Sequence, residues 1–203
     1  MDGSSNTHSN PLIIMKTIAV FTICILVLSG CTYHDLDLYK PVAIPLDNVD
    51  MESGSGTPDS WFPGHTANDI SMTWTTEAAS SPTHSLAMSR ASFSDPNSFA
   101  AWGQTYQGAM PVGKNLTLSV KVKGVNLVGQ GLSIAIRVDG ATGSNLQFSS
   151  TQNNISITGT FDWTTYSIAL PNLTSGKYID VYLVYLPGTT GKAYFDDISL
   201  MYN

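Results

Sequence analysis

Two stretches of strict two-residue alternation constrain this chain more than any other feature. In Asn115 to Lys123, NLTLSVKVK, the residues Leu116, Leu118, Val120 and Val122 share one parity. Thr117, Ser119, Lys121 and Lys123 share the other. Gly131 to Asp139, GLSIAIRVD, repeats the pattern with Leu132, Ile134, Ile136 and Val138. Period-2 alternation places apolar side chains on one face of a half-buried strand, which a helix cannot do. No window offers an amphipathic helix. Further strands are predicted near 46–52, 71–77, 85–92, 98–106, 145–150, 153–158, 163–170, 178–186 and 192–202. Turn pairs separate them: Asp139-Gly140, Thr142-Gly143, Pro171-Asn172 and Pro187-Gly188. Short strands between such turns predict an all-β antiparallel β-sandwich of jelly-roll type.

The first 31 residues read differently. Lys16 precedes a nearly unbroken apolar run from Ile18 to Leu28. At about a dozen residues it is short of the ~20 that span a bilayer and matches a signal-peptide core. It ends in Leu28-Ser29-Gly30-Cys31, which resembles the bacterial lipobox. The resemblance implies cleavage before Cys31, a diacylglycerol thioether on its sulfur, and acylation of the new amine. Several acyl chains hold a protein at a membrane where one does not. Residues 1–14 make a poor n-region, so either Met15 is the start or the leader is extended. The sequence thus divides into a signal peptide (1–30), a lipidated cysteine with a Pro-containing tether (31–45), and one domain (46–203). The lipobox implies a bacterial cell envelope location, in the outer membrane or at the surface of a Gram-negative host.

Composition excludes several classes. Nine Lys and Arg stand against fifteen Asp and Glu, a net charge of −6, so nothing neutralises phosphates and no nucleic acid is expected as a partner. The two cysteines, Cys24 and Cys31, staple no domain and bind no zinc with histidine. Gly-x-Ser-x-Gly, His-Glu-x-x-His and phosphate-loop motifs are absent. Glutamate occurs only as Glu52 and Glu77, a thin supply for the paired carboxylates of a glycosidase. The chain is therefore expected not to be an enzyme.

The last strand is Ala193 to Tyr202, AYFDDISLMY. Without a bulge, Tyr194, Asp196, Ile198, Leu200 and Tyr202 share a face, and Asp197 points the other way. A buried Asp196 then needs a cation, backbone N–H donors or a hydroxyl.

Three segments together resemble the carbohydrate-binding modules of families 4, 9 and 22, which share a galactose-binding-like jelly roll. They are Asn48-Val49-Asp50-Met51-Glu52 followed by Pro58 and Trp61; Val112 to Lys123; and the ending Trp163–Leu170, Ile179–Tyr185 and Tyr194–Leu200. The first resembles the family's opening strand. The resemblance covers nearly all of 46–203 and implies two packed sheets of four to five strands. It also implies a structural calcium joining the first strand to the last, with Glu52 and Asp196 at the matching positions and carbonyls from near Gly54 and the Arg90 strand. Oxygen ligands suit that ion. The alternative is that Asp196 is held by backbone amides or by Arg90.

Such modules commonly bind polysaccharides without catalysis. Sugars stack on aromatic faces rimmed by polar groups. Trp102, Gln104 and Tyr106 share a parity; Tyr182 lies opposite Ile179, Val181 and Leu183; Arg137 lies opposite the apolar face of its strand. These five are the expected ligand-binding set on a concave sheet face. Trp61 is expected to plug a loop, and Trp163 to pack in the core or at an edge. The functional expectation is a membrane-anchored lipoprotein that binds a polysaccharide or glycoconjugate non-catalytically. The alternative is an envelope adhesion or structural lipoprotein that binds a protein partner.

Overall fold

A computed structural model describes residues 1–3, 40–92 and 94–203. Cys31 and the signal segment lie outside the described residues. Residues 41–203 form one compact unit.

Its described residues are all β, with eleven strands: β1 Val42–Ile44, β2 Phe62–His65, β3 Ser71–Thr75, β4 Ser85–Arg90, β5 Ala100–Tyr106, β6 Leu116–Val128, β7 Leu132–Asp139, β8 Asn145–Ser150, β9 Gly159–Leu170, β10 Tyr178–Tyr185 and β11 Thr190–Tyr202. One sheet runs β3-β4-β11-β6-β9, with β1 added to the far end of β11. The other runs β2-β5-β10-β7-β8. Every pairing is antiparallel. Only β3–β4 and β7–β8 are neighbours both in sequence and in a sheet. All other connections cross between sheets, which is jelly-roll connectivity.

The alternation of β6 is realised as written: Leu116, Leu118, Val120 and Val122 are buried, and the residues between them are not. Leu132, Ile134, Ile136 and Val138 of β7 face them from the other sheet as part of one core with Leu86, Met88, Ile179, Val181, Leu183 and Phe195.

Four details differ from the sequence reading. Residues 46–52 form a turn, not a strand. Asn48 and Met51 take positive φ, and the Asn48 side chain accepts from Ser53 N and donates to the carbonyls of Ser53 and Asp59. Asn is among the few residues that adopt this conformation at low cost. The opening strand is instead Val42–Ile44, inside the stretch read as tether, where Ile44 pairs with Leu200. Residues 153–158 are also a turn, with Asn153 at φ 66° and the Thr151 carbonyl accepting from Asn154 and Ile155. Finally, β2 carries Pro63 and gave no strand signal. It lies at a sheet edge, where the missing N–H is tolerated.

The largest correction concerns β5. Ala100, Trp102 and Gln104 point into the sandwich, and Tyr106 packs against its end. Trp102 pairs with core Leu183 and is 4% exposed. Gln104 is 5% exposed because it completes a strand-like pair with Asp47, accepting from its N–H and donating to its carbonyl, both at 2.8 Å. The Tyr106 hydroxyl donates to Ala109 O at 3.3 Å. Trp102, Gln104 and Tyr106 are thus structural, not part of an open face. Trp61 is the expected plug, buried with its indole N–H on Asn48 O at 3.0 Å.

Trp102 supplies a test of this orientation. Its indole nitrogen is buried without a hydrogen-bond partner among the described residues, so Trp102→Phe is expected to be nearly neutral. Trp102→Ala is expected to cost about 3–5 kcal/mol in denaturant unfolding, the usual price of emptying a large aromatic core position.

Candidate functional site: an aromatic groove on the five-stranded sheet

Residues of the opposite parity to the core build the outer face of β2-β5-β10-β7-β8. Across the strands, Phe62, Gly103, Tyr182, Ala135 and Ser150 align in one row. The next row toward one end holds Thr105, Asp180, Arg137 and Phe148. The row toward the other end pairs Ala101 with Val184. Beyond that row Phe99, Leu186 and Pro187 complete the groove. The groove encloses about 550 Å³, within the ~300–1,000 Å³ common for small-molecule sites.

Tyr182 forms its floor, and glycine sets its attitude. A Cβ at Gly103 would lie 3.2 Å from Tyr182 Cε1, and one at Gly64 would lie 3.3 Å from the same atom. The ring therefore rests against the bare backbone of two neighbouring strands, and no larger residue fits beneath it without moving it. A glycine inside a strand marks such a close approach. Ala101 and Ala135 keep the rest of the floor low. On one side His65 and Phe99 stack at 4.0 Å with planes 12° apart. On the other, Phe148 stands 55% exposed beside Arg137.

Arg137 is held in place by the fold itself. Its Nε donates to Asp139 Oδ1 at 2.8 Å and its Nη2 to Gly143 O at 3.3 Å. The bond to Asp139 raises its pKa, so it stays charged. Asp180, beside it, accepts from the Thr105 hydroxyl. Burial first, and then the charge of Asp139, push the Asp180 carboxyl above its ordinary value, against the Thr105 bond. Burial likewise raises the Tyr182 phenol, leaving a neutral hydroxyl at neutral pH.

Of the five residues expected at a binding face, the structure brings Arg137 and Tyr182 together there. Trp102, Gln104 and Tyr106 are on the other side of the sheet. His65, Phe99 and Phe148 were missed. Phe148 carried a signal, because in NLQFSS the apolar Leu146 and Phe148 share a parity and are exposed. Gly103, a glycine in mid-strand, carried another.

The other expected pair, Glu52 and Asp196, lies at the six-stranded sheet. Here β11 has a bulge: Asp196 pairs with Lys121, and Ser199 with Ser119, so three residues of β11 match two of β6. Asp197 takes φ 45° to make it. The extra residue inverts the parity. Phe195 faces the core before the bulge and Leu200 after it, whereas Tyr194 and Asp196 lie on the outer side with Lys123 and Lys121. Tyr194 and Asp196 therefore do not share a face with Leu200 and Tyr202.

Asp196 is nonetheless 0% exposed, because the segment 78–84 covers it. Oδ2 accepts from Ser80 N at 2.7 Å and Ser81 N at 2.9 Å; Oδ1 accepts from the Ser81 hydroxyl and Asp197 N, each at 2.7 Å. Burial raises its pKa, against these bonds. Glu52 grips the same segment through Thr83 N at 2.9 Å, the Thr83 hydroxyl, and His84 N at 2.8 Å. Arg90 bonds elsewhere, to Asp69 and to the Thr189 carbonyl. The oxygens of Glu52 and Asp196 thus meet N–H and O–H donors, which satisfy them without a cation. Among the described residues no three His, Cys, Asp or Glu side chains gather as metal ligands. This arrangement does not fit calcium, and it matches the amide-bonded alternative for Asp196.

No protein-family model matches the chain, and no curated protein matches its sequence. Solved structures match its fold. A Stig cyclase, Fisc, from Fischerella sp. TAU, in complex with (3Z)-3-(1-methyl-2-pyrrolidinylidene)-3H-indole, superposes with a TM-score of 0.60 at 16% identity, over 81% of this chain and 98% of that one. The CBM22-1 xylan-binding domain of Paenibacillus barcinonensis Xyn10C gives 0.51 at 15% identity, over 73% and 88%. A CBM4 structure gives 0.51 at 15%, over 78% and 100%. The chain therefore has the jelly-roll fold that these proteins share.

The grip on segment 78–84 has a pH signature. Burial alone would raise the Glu52 carboxyl, but the bonds from Thr83 and His84 outweigh it and hold it at about 2, below its ordinary 4.5. A depressed carboxylate stabilises the fold above its unfolded value and loses that contribution as pH falls through its folded one. Wild type is expected to lose melting temperature between about pH 4.5 and 2 more steeply than Glu52→Gln. At pH 7 EDTA is expected to leave the melt unchanged, and Asp196→Ala to lower it.

Proposed function

We propose that this chain is a lipid-anchored, non-catalytic glycan-binding protein that holds its ligand in the groove over Tyr182. The observation that carries the reading is the flat Tyr182 ring with a fixed, charged Arg137 one row away. An aromatic face stacks on the apolar side of a pyranose, and a guanidinium at the rim donates to its hydroxyls. The fold shared with a xylan-binding domain and a CBM4 module supports this reading. The same fold also serves a cyclase, so fold does not decide function. The groove-side carboxylates favour binding: Asp139 is engaged by Arg137 and Asp180 by Thr105, an arrangement that orients donors and acceptors.

The test is retention of the whole chain on a panel of insoluble polysaccharides, with a glycan array beside it. Binding in the micromolar to millimolar range is expected, since a shallow groove gains little beyond the cost of immobilising a ligand. Tyr182→Ala is expected to weaken it by about 1–3 kcal/mol, and Arg137→Ala to weaken it as well, both with little change in melting temperature. Trp102→Phe is expected to leave binding unchanged. A chain that ignores every glycan yet captures an envelope protein would establish the adhesion alternative.

Anchoring rests on Leu28-Ser29-Gly30-Cys31. In a bacterial host Cys31→Ser is expected to abolish the acyl mass increment and move the chain out of the detergent phase. Unchanged mass and partitioning would exclude lipidation.

A further inference from the structure

The cations of the sandwich are unevenly engaged. Among the described residues of 41–203, Arg90, Lys121, Lys123, Arg137 and Lys192 are ion-paired. Lys114 and Lys177 are the remaining two cations of this stretch, and both are exposed without a carboxylate partner. They stand at the same end of the molecule. Gly113 N donates to Leu173 O at 2.7 Å, and Leu173 N to Lys114 O at 2.8 Å, so the loop before β6 clasps the loop before β10. Lys177 N donates to Asp139 O, at the end of β7, at 2.7 Å. The Asp139 side chain is taken by Arg137. Strand β1 starts at this end too: Val42 pairs with Tyr202, and Tyr202 with Leu116. Val42 is 46% exposed and Val112 57%. Pro45, Ala109, Met110 and Pro111 continue the apolar surface with Tyr106 and Tyr202.

The opposite end also exposes apolar side chains, Val128 at 65% and Ile155 at 39%. Its loops carry Asp69 and Asp95 and no lysine, and Arg90 there bonds to Asp69. Apolar exposure therefore does not distinguish the two ends, and charge does.

We propose that the end holding Lys114, Lys177, Val42 and Val112 lies against an anionic lipid bilayer in the anchored protein. This rests on the anchoring reading and adds to it a defined docking surface. Pro41 follows Cys31 by ten residues, a span of at most roughly 35 Å when fully extended. That length leads into β1 at this end, so it lets the end reach the bilayer without holding it there. The chain carries a net charge of −6, so most approaches to an anionic surface are repulsive. The Lys114–Lys177 end is the exception. Each lysine near such a surface favours contact roughly fivefold, over a screening length of about 10 Å. Docked in this way, β10 runs away from the bilayer from Tyr178 to Tyr185, and the groove over Tyr182 opens to the side.

The test uses the full chain produced in a bacterial host and reconstituted into vesicles of phosphatidylcholine, alone or mixed with phosphatidylglycerol. Val112→Cys and, separately, Val128→Cys carry an environment-sensitive dye, and a nitroxide-labelled lipid is the quencher. Both variants share the chain's own cysteines, so label at those positions cancels in the comparison. With phosphatidylglycerol present, the dye at 112 is expected to shift to the blue and to be quenched several-fold more than the dye at 128. That difference is expected to vanish on neutral vesicles, in the double variant Lys114→Glu, Lys177→Glu, and in about 1 M salt, where screening shortens to ~3 Å. Thermal melts establish that each variant is folded. Equal quenching at the two positions overturns the inference, as does a difference that persists on neutral vesicles. Intact mass reports acylation separately. An acylated chain without the difference overturns the docking surface and leaves the anchor standing. A chain without acyl mass overturns the anchor. Mixed with the same vesicles, that chain still shows the difference if the docking surface is correct, and its absence overturns both.

Discussion

A carboxylate withdrawn from water at the bulge of β11 governs how the six-stranded sheet is closed. Asp196 sits on the outer side of that sheet, where a charged group would ordinarily be solvated. It is covered because two successive amides, Ser80 and Ser81, and the Ser81 hydroxyl converge on it. Asp197, on the same bulge, accepts from the Ser80 hydroxyl and from Lys121 Nζ at 2.9 Å. Glu52 holds the next residues of the same segment. The Ile198 N–H donates to Val49 O at 2.9 Å, so the bulge also fastens the opening turn. One irregularity in one strand thus ties together three parts of the chain that are far apart in sequence. Removing a single partner would leave a buried charge without compensation, the costly way to break such a cluster.

The opposite sheet owes its usefulness to what it lacks. Its outer face is low along the centre, where Gly64, Gly103, Ala101 and Ala135 lie, and high at the sides, where Phe99 and Phe148 rise. The inner face of the same strands carries the large residues, Trp102, Leu183, Ile134 and Ile136. Strand geometry makes this division possible, because alternate residues serve different faces. A bulky core and a shallow trough are therefore written into the same seven or eight residues of each of β5, β10 and β7.

Much of this was legible in the chain. The alternation of β6 and β7 fixed the sandwich, since no other backbone buries every second residue so completely. Tyr182 and Arg137 were placed by the same rule, being out of phase with Val181, Leu183, Ile136 and Val138. The rule misled at β5, where polar Gln104 shares a parity with Trp102. Gln104 is buried because it replaces a strand partner for Asp47, a contact 57 residues away that no local pattern reveals. It misled again at Asp196, where one bulged residue inverts the count. His65 and Phe99 come from a proline-bearing edge strand and a loop, and meet only through tertiary folding. Period-2 reasoning is dependable within an uninterrupted strand, and it fails where a residue is inserted or a side chain does a backbone's work.

The way Tyr182 lies across two glycines also bears on the thermodynamics of recognition. A tyrosine on an open sheet samples several rotamers, and a ligand that fixes it forfeits roughly 0.5–1.5 kcal/mol of conformational freedom. Here the backbone of β2 and β5 presses close on one side of the ring and Arg137 is already tied to Asp139. That entropy was surrendered when the domain folded. On the proposed glycan-binding reading, the groove would meet a ligand as a rigid template, with little of each contact offset by ordering the groove itself.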